Sequence, residues 1–474
     1  MSRSIPTPVA PLDLGEPLRL HVVGVGGPGM SAIAIVLAEM GHHVSGSDLR
    51  EQPVLDRLRA AGVDVRVGHD RTVVEGCDAV TSSTAIPSRN IEVDQARLAG
   101  ITVLRRAGML ASICAMAKSL AVAGTHGKTS TTSMLMLILA EAGLRPSFVI
   151  GGDVTDMGTG AQWTGGEWLV VEADESDGTH RELPLFGTIL TNVEVDHLDH
   201  YGSFEAIQDS FDQYLSGIAG PKVMCIDDPA CRQLASVHDA ITYGTDQDAV
   251  YRATDVSATD GTQTFTITHH GQILGSVALP LRGIHNVRNA TGAAAMAHSI
   301  GIPFSTIATA LNKFGGVARR FDIRAIDQGA TLVDDYAHLP AEISAVLAAA
   351  RGGGDGWSRV IAVFQPNRFN RMSVMSPDYR DAFTDADVVV LTDIYASGTQ
   401  PIPGVTGKLV VNAVTEAHPE ARVVWLPHRA DLVDFVAGEL RAGDVCVSMG
   451  CGDIAVFPDE VVRQRAVRRA AAGG

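Results

Sequence analysis

A chain of 474 residues, 46% of them hydrophobic, is long enough at roughly 150 residues per domain to bury about three cores. Its 37 Lys and Arg stand against 54 Asp and Glu, a formal net charge of −17, which argues against a general nucleic-acid or anionic-membrane surface. Six scattered cysteines (Cys77, Cys114, Cys225, Cys231, Cys446 and Cys451) form no Cys-x-x-Cys pair, and no apolar run approaches the roughly 18 residues of a membrane span.

These counts predict a soluble, cytoplasmic protein with free thiols, no membrane and no nucleic-acid partner, as a monomer or weak homodimer. Residues 1–17 carry four prolines and no apolar h-region, so they read as a flexible arm and not as a signal peptide.

The ordered chain is predicted to start with a strand, Leu18–Val23. Gly24-Val25-Gly26-Gly27-Pro28-Gly29-Met30-Ser31 follows, then a helix over Ser31–Met40 and a strand over His43–Ser47 that ends at Asp48. This is the βαβ nucleotide-binding plan. Glycines permit a tight turn and close approach, a helix N-terminus faces a diphosphate, and an acid stands about 20 positions on. NAD, FAD and UDP-sugars all suit such a turn. Alternation continues through a helix at Val54–Ala61, strands at Val63–Val67 and Ala79–Ser82, a helix at Asn90–Ala99 and a strand at Thr102–Leu104. Ser82–Pro87 is a polar turn at a strand's carboxyl end, the edge where parallel sheets bind ligands. A first domain, 1–115, closes here.

The second domain, 116–318, opens with an apolar strand over Ser119–Ala123, the turn Gly124-Thr125-His126-Gly127-Lys128-Thr129, and a helix over Thr131–Ala142. Such a turn aims backbone N–H groups and a helix N-terminus at one point, which suits a phosphate. Lys128 adds a cation and the Thr129 hydroxyl can ligate Mg²⁺. The loop is shorter than the usual G-x-x-x-x-G-K-[ST]. Strands at Trp168–Val171 and Thr188–Leu190 then deliver two acidic clusters, Glu172–Asp177 and Glu194–His200, to the same sheet edge, where they can hold one or two Mg²⁺ ions. Thr262–Thr268 and Ile273–Leu279 alternate around His269–Gln272 as a hairpin. A small-residue helix from Gly283 to about His298 places Asn286 and Asn289 on one face, with the donors and acceptors an adenine edge requires.

A hinge at Gly315–Asp322 leads into the third domain, 319–474. Strands at Thr331–Val333, Val360–Phe364, Val388–Leu391 and Val445–Met449 end in polar turns that carry Asp335, Tyr336, His338, Arg368, Arg371 and Cys451. Arg368 and Arg371 can fork a carboxylate or phosphate. The basic, Ala-rich segment Val461–Gly474 is expected to be a helix that frays.

In sequence order, the pieces Gly24–Ser31, Gly124–Thr132, Glu172–Asp177, Thr191–His197, His285–Ala290, Arg319–Asp322, Asp334–His338, Phe364–Arg368 and Ser448–Asp453 resemble the Mur ligases of peptidoglycan synthesis. His126 in the phosphate loop and the Gly-x-Gly-Gly-x-Gly-Met opening resemble the alanine-adding branch. The resemblance implies an α/β, three-domain Mur ligase architecture: a Rossmann-like N-terminal domain, a central P-loop ATPase-like domain and a Rossmann-like C-terminal domain. It implies ATP-dependent ligation of L-alanine to the lactoyl carboxylate of UDP-N-acetylmuramate, through an acyl phosphate and a tetrahedral intermediate.

The roles it implies are these. Gly26, Gly27, Gly29, Met30, Ser31, Asp48 and Ser82 would hold the UDP-sugar. Gly124, Thr125, His126, Gly127, Lys128, Thr129 and Ser130 would cradle ATP, with Asn286 and Asn289 toward adenine and Asp335 toward ribose. Thr129 and Glu172 would ligate one Mg²⁺ and His197 a second, although Mg²⁺ prefers oxygen. Lys128, Glu172, His197 and Arg320 would carry the chemistry, Arg320 reaching phosphate on domain closure. Tyr336, His338, Arg368, Arg371 and Cys451 would surround the amino acid.

Three departures from the family pattern gather near that amino-acid site. Tyr336-Ala-His-Leu-Pro340 stands for Tyr-Gly-His-His-Pro, Asn367 for His, and Cys451 for Ala. The extra sulfur is expected to crowd the alanine methyl and raise relative acceptance of glycine. Rival readings are a peptide-recycling ligase acting on UDP-N-acetylmuramate, an NAD-dependent oxidoreductase argued from Gly24–Asp48 alone, and a non-catalytic nucleotide switch. The oxidoreductase reading leaves Gly124–Thr129 and both acidic clusters unexplained, and the switch predicts slow ATP hydrolysis with no need for an amine acceptor.

Overall fold

The computed structural model describes residues 10–83, 86–87, 89–352 and 356–472. Most of the expected N-terminal arm (1–9), two residues of the Ser82–Pro87 turn (84 and 85) and the last two residues of the tail lie outside them.

Three sheets carry the α/β fold. The first holds β1 (Arg19–Val23), β2 (His43–Asp48), β3 (Asp64–Val67), β4 (Ala79–Ser82) and β5 (Thr102–Arg105) in the order β3-β2-β1-β4-β5, and every pairing is parallel. The direction of winding reverses between β1 and β4. The crevice at their carboxyl ends is therefore flanked by the Gly24–Gly29 turn and Ser82, the position where open α/β sheets take ligands.

The second sheet has ten strands: β6 (Lys118–Ala123), β7 (Ser147–Val154), β8 (Thr159–Gln162), β9 (Trp168–Glu172), β10 (Gly187–Leu190), β11 (Lys222–Cys225), β12 (Ala240–Gly244), β13 (Tyr251–Thr259), β14 (Thr262–His269) and β15 (Gln272–Leu279). Their order is β15-β14-β13-β12-β11-β10-β6-β9-β7-β8. β6 is central, and Ser119 to Ala123 are all buried, as expected of a strand covered on both faces. Its parallel neighbours are β9 and β10, the two strands that deliver the acidic clusters. The expected hairpin turns through His270 and Gly271, both at positive φ, which suits a two-residue connection. The first two sheets share a buried core, and the helix Pro28–Glu39 packs against β7 and β8.

The third sheet has its own cores and the order β16-β17-β21-β18-β19-β20. It comprises β16 (Asp322–Asp327), β17 (Ala330–Asp335), β18 (Arg359–Phe364), β19 (Val388–Leu391), β20 (Val423–Trp425) and β21 (Asp444–Met449), with only β16 antiparallel to its neighbour.

The C-terminal helix runs over Phe457–Ala472 and is better anchored than its composition suggests. Val461 is buried. Arg465, 6% exposed, donates to Asp327 and to the Leu440 carbonyl, and Arg469 pairs with Asp327 at 3.1 Å. No helix among the described residues is long and apolar enough to cross a membrane. All six cysteines are free thiols.

Candidate active site

The phosphate loop leaves β6 at Gly124, which has φ +127°. A Cβ there would sit 2.2 Å from the Thr191 hydroxyl and 2.8 Å from the Asn192 carbonyl, so only glycine lets the loop lie on the segment after β10. That segment holds the loop firmly. The Asn192 carbonyl accepts from Thr125 N–H (3.1 Å), its side-chain oxygen from His126 N–H (2.8 Å), and Thr191 and Asn192 donate to the His126 carbonyl (2.6 and 3.0 Å). Gly127 caps the helix Lys128–Glu141 in the left-handed region at φ +80°. The first-turn N–H groups of that helix have no helical acceptor ahead of them, which is what an anion uses. Thr129 and Ser130 are buried in this first turn, and His126 Nε2 lies 3.4 Å from Glu194.

Lys128 turns back on its own loop. Its ammonium donates to the Gly124 and Thr125 carbonyls and to both oxygens of Glu175, each at 2.9 Å. Burial works against its charge, but Glu175 and Asp174 outweigh it and raise the Lys128 pKa, so the ammonium stays protonated. Burial pushes Glu175 up to about 7, against the pull of Lys128.

Glu172 ends β9 opposite Val122 of β6, and its Oε1 accepts from Gly151 N–H at 2.8 Å. His197 is at positive φ, with Nε2 3.1 Å from Asp196. No group of three or more His, Cys, Asp or Glu side chains placed to hold a metal occurs among the described residues. Asn289, on the helix Ile284–Ser299, lies against the loop: a Cβ on Gly127 would be 2.7 Å from its side-chain oxygen. Asn286 donates to the Arg282 carbonyl at 2.8 Å.

In the first sheet, Asp48 locks the glycine turn. Its carboxylate accepts from Gly26 N–H at 2.9 Å, and a Cβ on Gly26 would come within 2.7 Å of it. Gly27 caps the helix Pro28–Glu39. Met30 is 1% exposed and the Ser31 hydroxyl donates to the Pro28 carbonyl, so the Met30 side chain belongs to the core. Gly29 faces Arg106, whose Nη1 would lie 3.1 Å from a Cβ there.

In the C-terminal domain, Asp335 is 4% exposed and accepts from the N–H groups of Phe321 and Ala337, both at 2.7 Å. Burial raises its pKa to about 6, opposed by Arg320. Arg319 and Arg320 lie over the Tyr336 ring at 5.1 and 5.0 Å, and Tyr336 meets His338 edge-on at 5.5 Å. His338 Nδ1 is 3.2 Å from Glu342. Arg368 has φ 61°, and Arg371, 9% exposed, donates to Asn367 at 2.9 Å. The departing residue Asn367 thus has a use, as an acceptor one helical turn before Arg371. Leu339, another departure, is core. Burial raises the Cys451 thiol pKa, while Arg371 and Arg368 pull the other way.

Two residues went unsingled in the sequence. Glu175 lies inside the Glu172–Asp177 run, but only the fold shows that it, and not a neighbour, meets Lys128. Arg106 carries no motif.

The profile described as Mur ligase family, catalytic domain, matches residues 19–118, that of the Mur ligase middle domain 122–297, and that of the Mur ligase, glutamate ligase domain, 319–452. A UDP-N-acetylmuramate–L-alanine ligase of Pelobacter propionicus is 41% identical over 447 residues, 93% of this chain and 96% of the relative. One of Rhodopseudomonas palustris is 42% identical over 446 residues, covering 92% and 95%. The solved UDP-N-acetylmuramate–alanine ligase of Thermotoga maritima superposes with TM-score 0.80 at 26% identity, over 95% of this chain and 100% of that one. A murein peptide ligase of Psychrobacter arcticus gives 0.67 at 25% identity, over 95% and 98%. With all three profiles matched in order and more than nine-tenths of the chain shared with these relatives, the chain belongs to the Mur ligase family.

Proposed function

We propose that this chain joins the amine of L-alanine to the lactoyl carboxylate of UDP-N-acetylmuramate, with ATP cleaved to ADP and phosphate, in cytoplasmic peptidoglycan precursor synthesis. The observation that carries the reading is the Gly124–Thr129 loop on β6, set between the strands that end at Glu172 and lead to Thr191. Residues 1–115 take the UDP-sugar, 116–318 take ATP, and 319–474 take the amino acid.

The carboxylate attacks the γ-phosphate, because oxide is a poor leaving group and phosphate a good one. The amine then attacks the acyl phosphate, and the tetrahedral intermediate expels phosphate. Bringing two anions together requires fixed positive charge, which Lys128 and the first-turn N–H groups supply. Thr129 and Glu172 offer the oxygen donors Mg²⁺ prefers. One or two such groups suffice when phosphates and water complete the shell. His197, a nitrogen donor with Nε2 next to Asp196, suits that ion less well. When bound, the ion neutralises phosphate charge. Glu172→Gln is expected to raise the Mg²⁺ concentration for half-maximal activity about tenfold or more. An unchanged Mg²⁺ titration would remove Glu172 from the metal.

The test of the whole reading is phosphate release from ATP with UDP-N-acetylmuramate and each amino acid in turn; no stimulation by any amino acid sinks it. The likeness to the murein peptide ligase keeps a second reading, in which an L-alanine-containing tripeptide stimulates release and free alanine does not.

Cys451 bears on selectivity. A sulfur at 451, where the family pattern has the smaller Ala, leaves less room for the substrate's methyl. Cys451→Ala is expected to shift the alanine-to-glycine ratio of kcat/KM toward alanine by about tenfold, the scale of one methyl in a pocket. A ratio unmoved by the substitution removes the idea.

A further inference from the structure

The chain enters the third domain once, through the hinge Gly315–Asp322. The first compact unit of the fold ends at Gly315, and the unit that holds the C-terminal domain takes up the chain at Gly316. On the near side the chain is anchored up to that boundary. The helix Phe304–Asn312 packs against Lys128–Glu141, the helix that opens at the phosphate loop, and Leu311 and Phe314 are buried. Gly315 is then held from outside its own segment, where its N–H donates to Asp156 Oδ2 at 2.9 Å. The approach is close: a Cβ on Gly315 would lie 2.5 Å from Asp156 Oδ1. Gly315 is not among the glycines at positive φ, so the carboxylate, and not the backbone conformation, is what excludes a side chain there. Gly316, the next residue, is at φ +90°.

Asp156 stands in the turn between β7 and β8, where the N–H groups of Met157 and Gly158 donate to the Val154 carbonyl. The same hairpin reaches two other parts of the proposed site. Gly151 N–H donates to Glu172, and Asp153 pairs at 2.7 Å with Arg57 of the helix Pro53–Ala60 in the first domain. One short hairpin thus carries both the amide that orients Glu172 and the carboxylate that holds the hinge. A hinge turns on a few residues that absorb the φ/ψ change, and its path is defined only when the residue before the pivot is fixed. Asp156 supplies that fixed point. Both Asp156 and Gly315 are exposed, so their bond adds little to overall stability. What it sets is where the chain bends.

We propose that Asp156 is a positioning residue for domain closure: its carboxylate fixes Gly315, confines the bend to Gly316 and beyond, and so sets the path on which Arg320 reaches the phosphate. This rests on the ligase reading, in which the C-terminal domain closes over the nucleotide. Asp156 touches no substrate in this assignment. Its effect falls on kcat and not on the binding of either nucleotide to the open protein.

The test is a double-mutant cycle on alanine-dependent phosphate release by the full-length protein. Asp156→Ala is expected to lower kcat about five- to tenfold, the scale of one hydrogen bond to a charged group. Gly315→Ala is expected to do the same, because its methyl displaces the carboxylate. In the Asp156→Ala background, Gly315→Ala is expected to cost less than about twofold more, since the obstacle is gone. Asp156→Asn keeps an acceptor oxygen and is expected to lie near wild type. Calorimetric affinities for ADP and UDP, the Mg²⁺ titration and the Tm are expected to stay close to wild type throughout, whereas a merely structural role would lower Tm and leave kcat. An unchanged kcat in Asp156→Ala, or an equal cost of Gly315→Ala in both backgrounds, overturns the assignment. A shifted Mg²⁺ titration or ADP affinity also overturns it, by placing the effect at Glu172 or the phosphate loop. If the wild type itself releases no phosphate on addition of alanine, the ligase reading fails, and the hinge assignment with it.

Discussion

Lys128→Ala is expected to lower alanine-dependent phosphate release by about 10²–10³-fold or more, the cost of removing a preorganised charge from a site where charge develops. UDP affinity is expected to stay near wild type, because the first sheet's glycine turn does not use Lys128. Stability supplies a second signature. Without the ammonium, Glu175 is left buried with no counter-ion, a loss of about 3–5 kcal/mol if the carboxylate must stay charged. It need not, because burial already raises it to about 7 in the wild type, and losing Lys128 raises it further. A carboxyl whose folded pKa exceeds its unfolded value gives stability present below the unfolded pKa and lost as pH rises through the folded one. The wild type shares this loss up to about pH 7, where its own Glu175 ionises, so the variant should be nearly as stable as wild type below about pH 7 and fall behind progressively above it. Melting curves at pH 5.5 and 8 check this, and a Tm deficit that does not grow with pH contradicts it. Near-normal phosphate release would remove Lys128 from the chemistry.

The loop was legible because its residues are constrained locally. Gly124 and Gly127 need positive φ and close approach, and Lys128 and Thr129 fall where a strand becomes a helix. The strands of the first sheet, and β17, β18, β19 and β21 of the third, were legible for a similar reason, as apolar runs ending in polar turns. Other strands were not. Ser147–Val154 and Thr159–Gln162 are interrupted by glycine and owe their pairing to β9 and to each other, a tertiary cause that no local pattern reports. The C-terminal helix looked ready to fray because its anchor, Arg465 on Asp327, spans 138 residues of sequence. Arg106 stayed hidden for the same reason. Its partners Asp174 and Asp177 lie about 70 residues away, and a lone arginine at a helix start carries no pattern. Asp335 shows the converse: its motif was plain, but its carboxylate is occupied by two backbone N–H groups that only the fold brings to it.

Glu175→Gln is the complementary experiment to Lys128→Ala, and its expected result is less intuitive. In the ligand-free protein the ammonium faces two loop carbonyls and one carboxylate. Removing that carboxylate's charge takes away the largest of the pulls that raise the Lys128 pKa against burial, and leaves a buried cation offset only by the more distant Asp174 and Glu172. The ligand-free variant should be destabilised, by at most about 3–5 kcal/mol, because the glutamine oxygen still accepts one hydrogen bond. A bound phosphate would restore the missing negative charge. ADP should then raise the Tm of Glu175→Gln by more than it raises that of the wild type, since a ligand stabilises by its affinity for the folded form. Adenosine, which has no phosphate, should give no such excess. The physical content is competition: Glu175 occupies the ammonium until nucleotide displaces it, so the same side chain stabilises the empty loop and weakens its ligand. An ADP-induced shift equal to or smaller than that of the wild type would mean that Lys128 keeps Glu175 when phosphate binds, and that the ion pair is structural throughout.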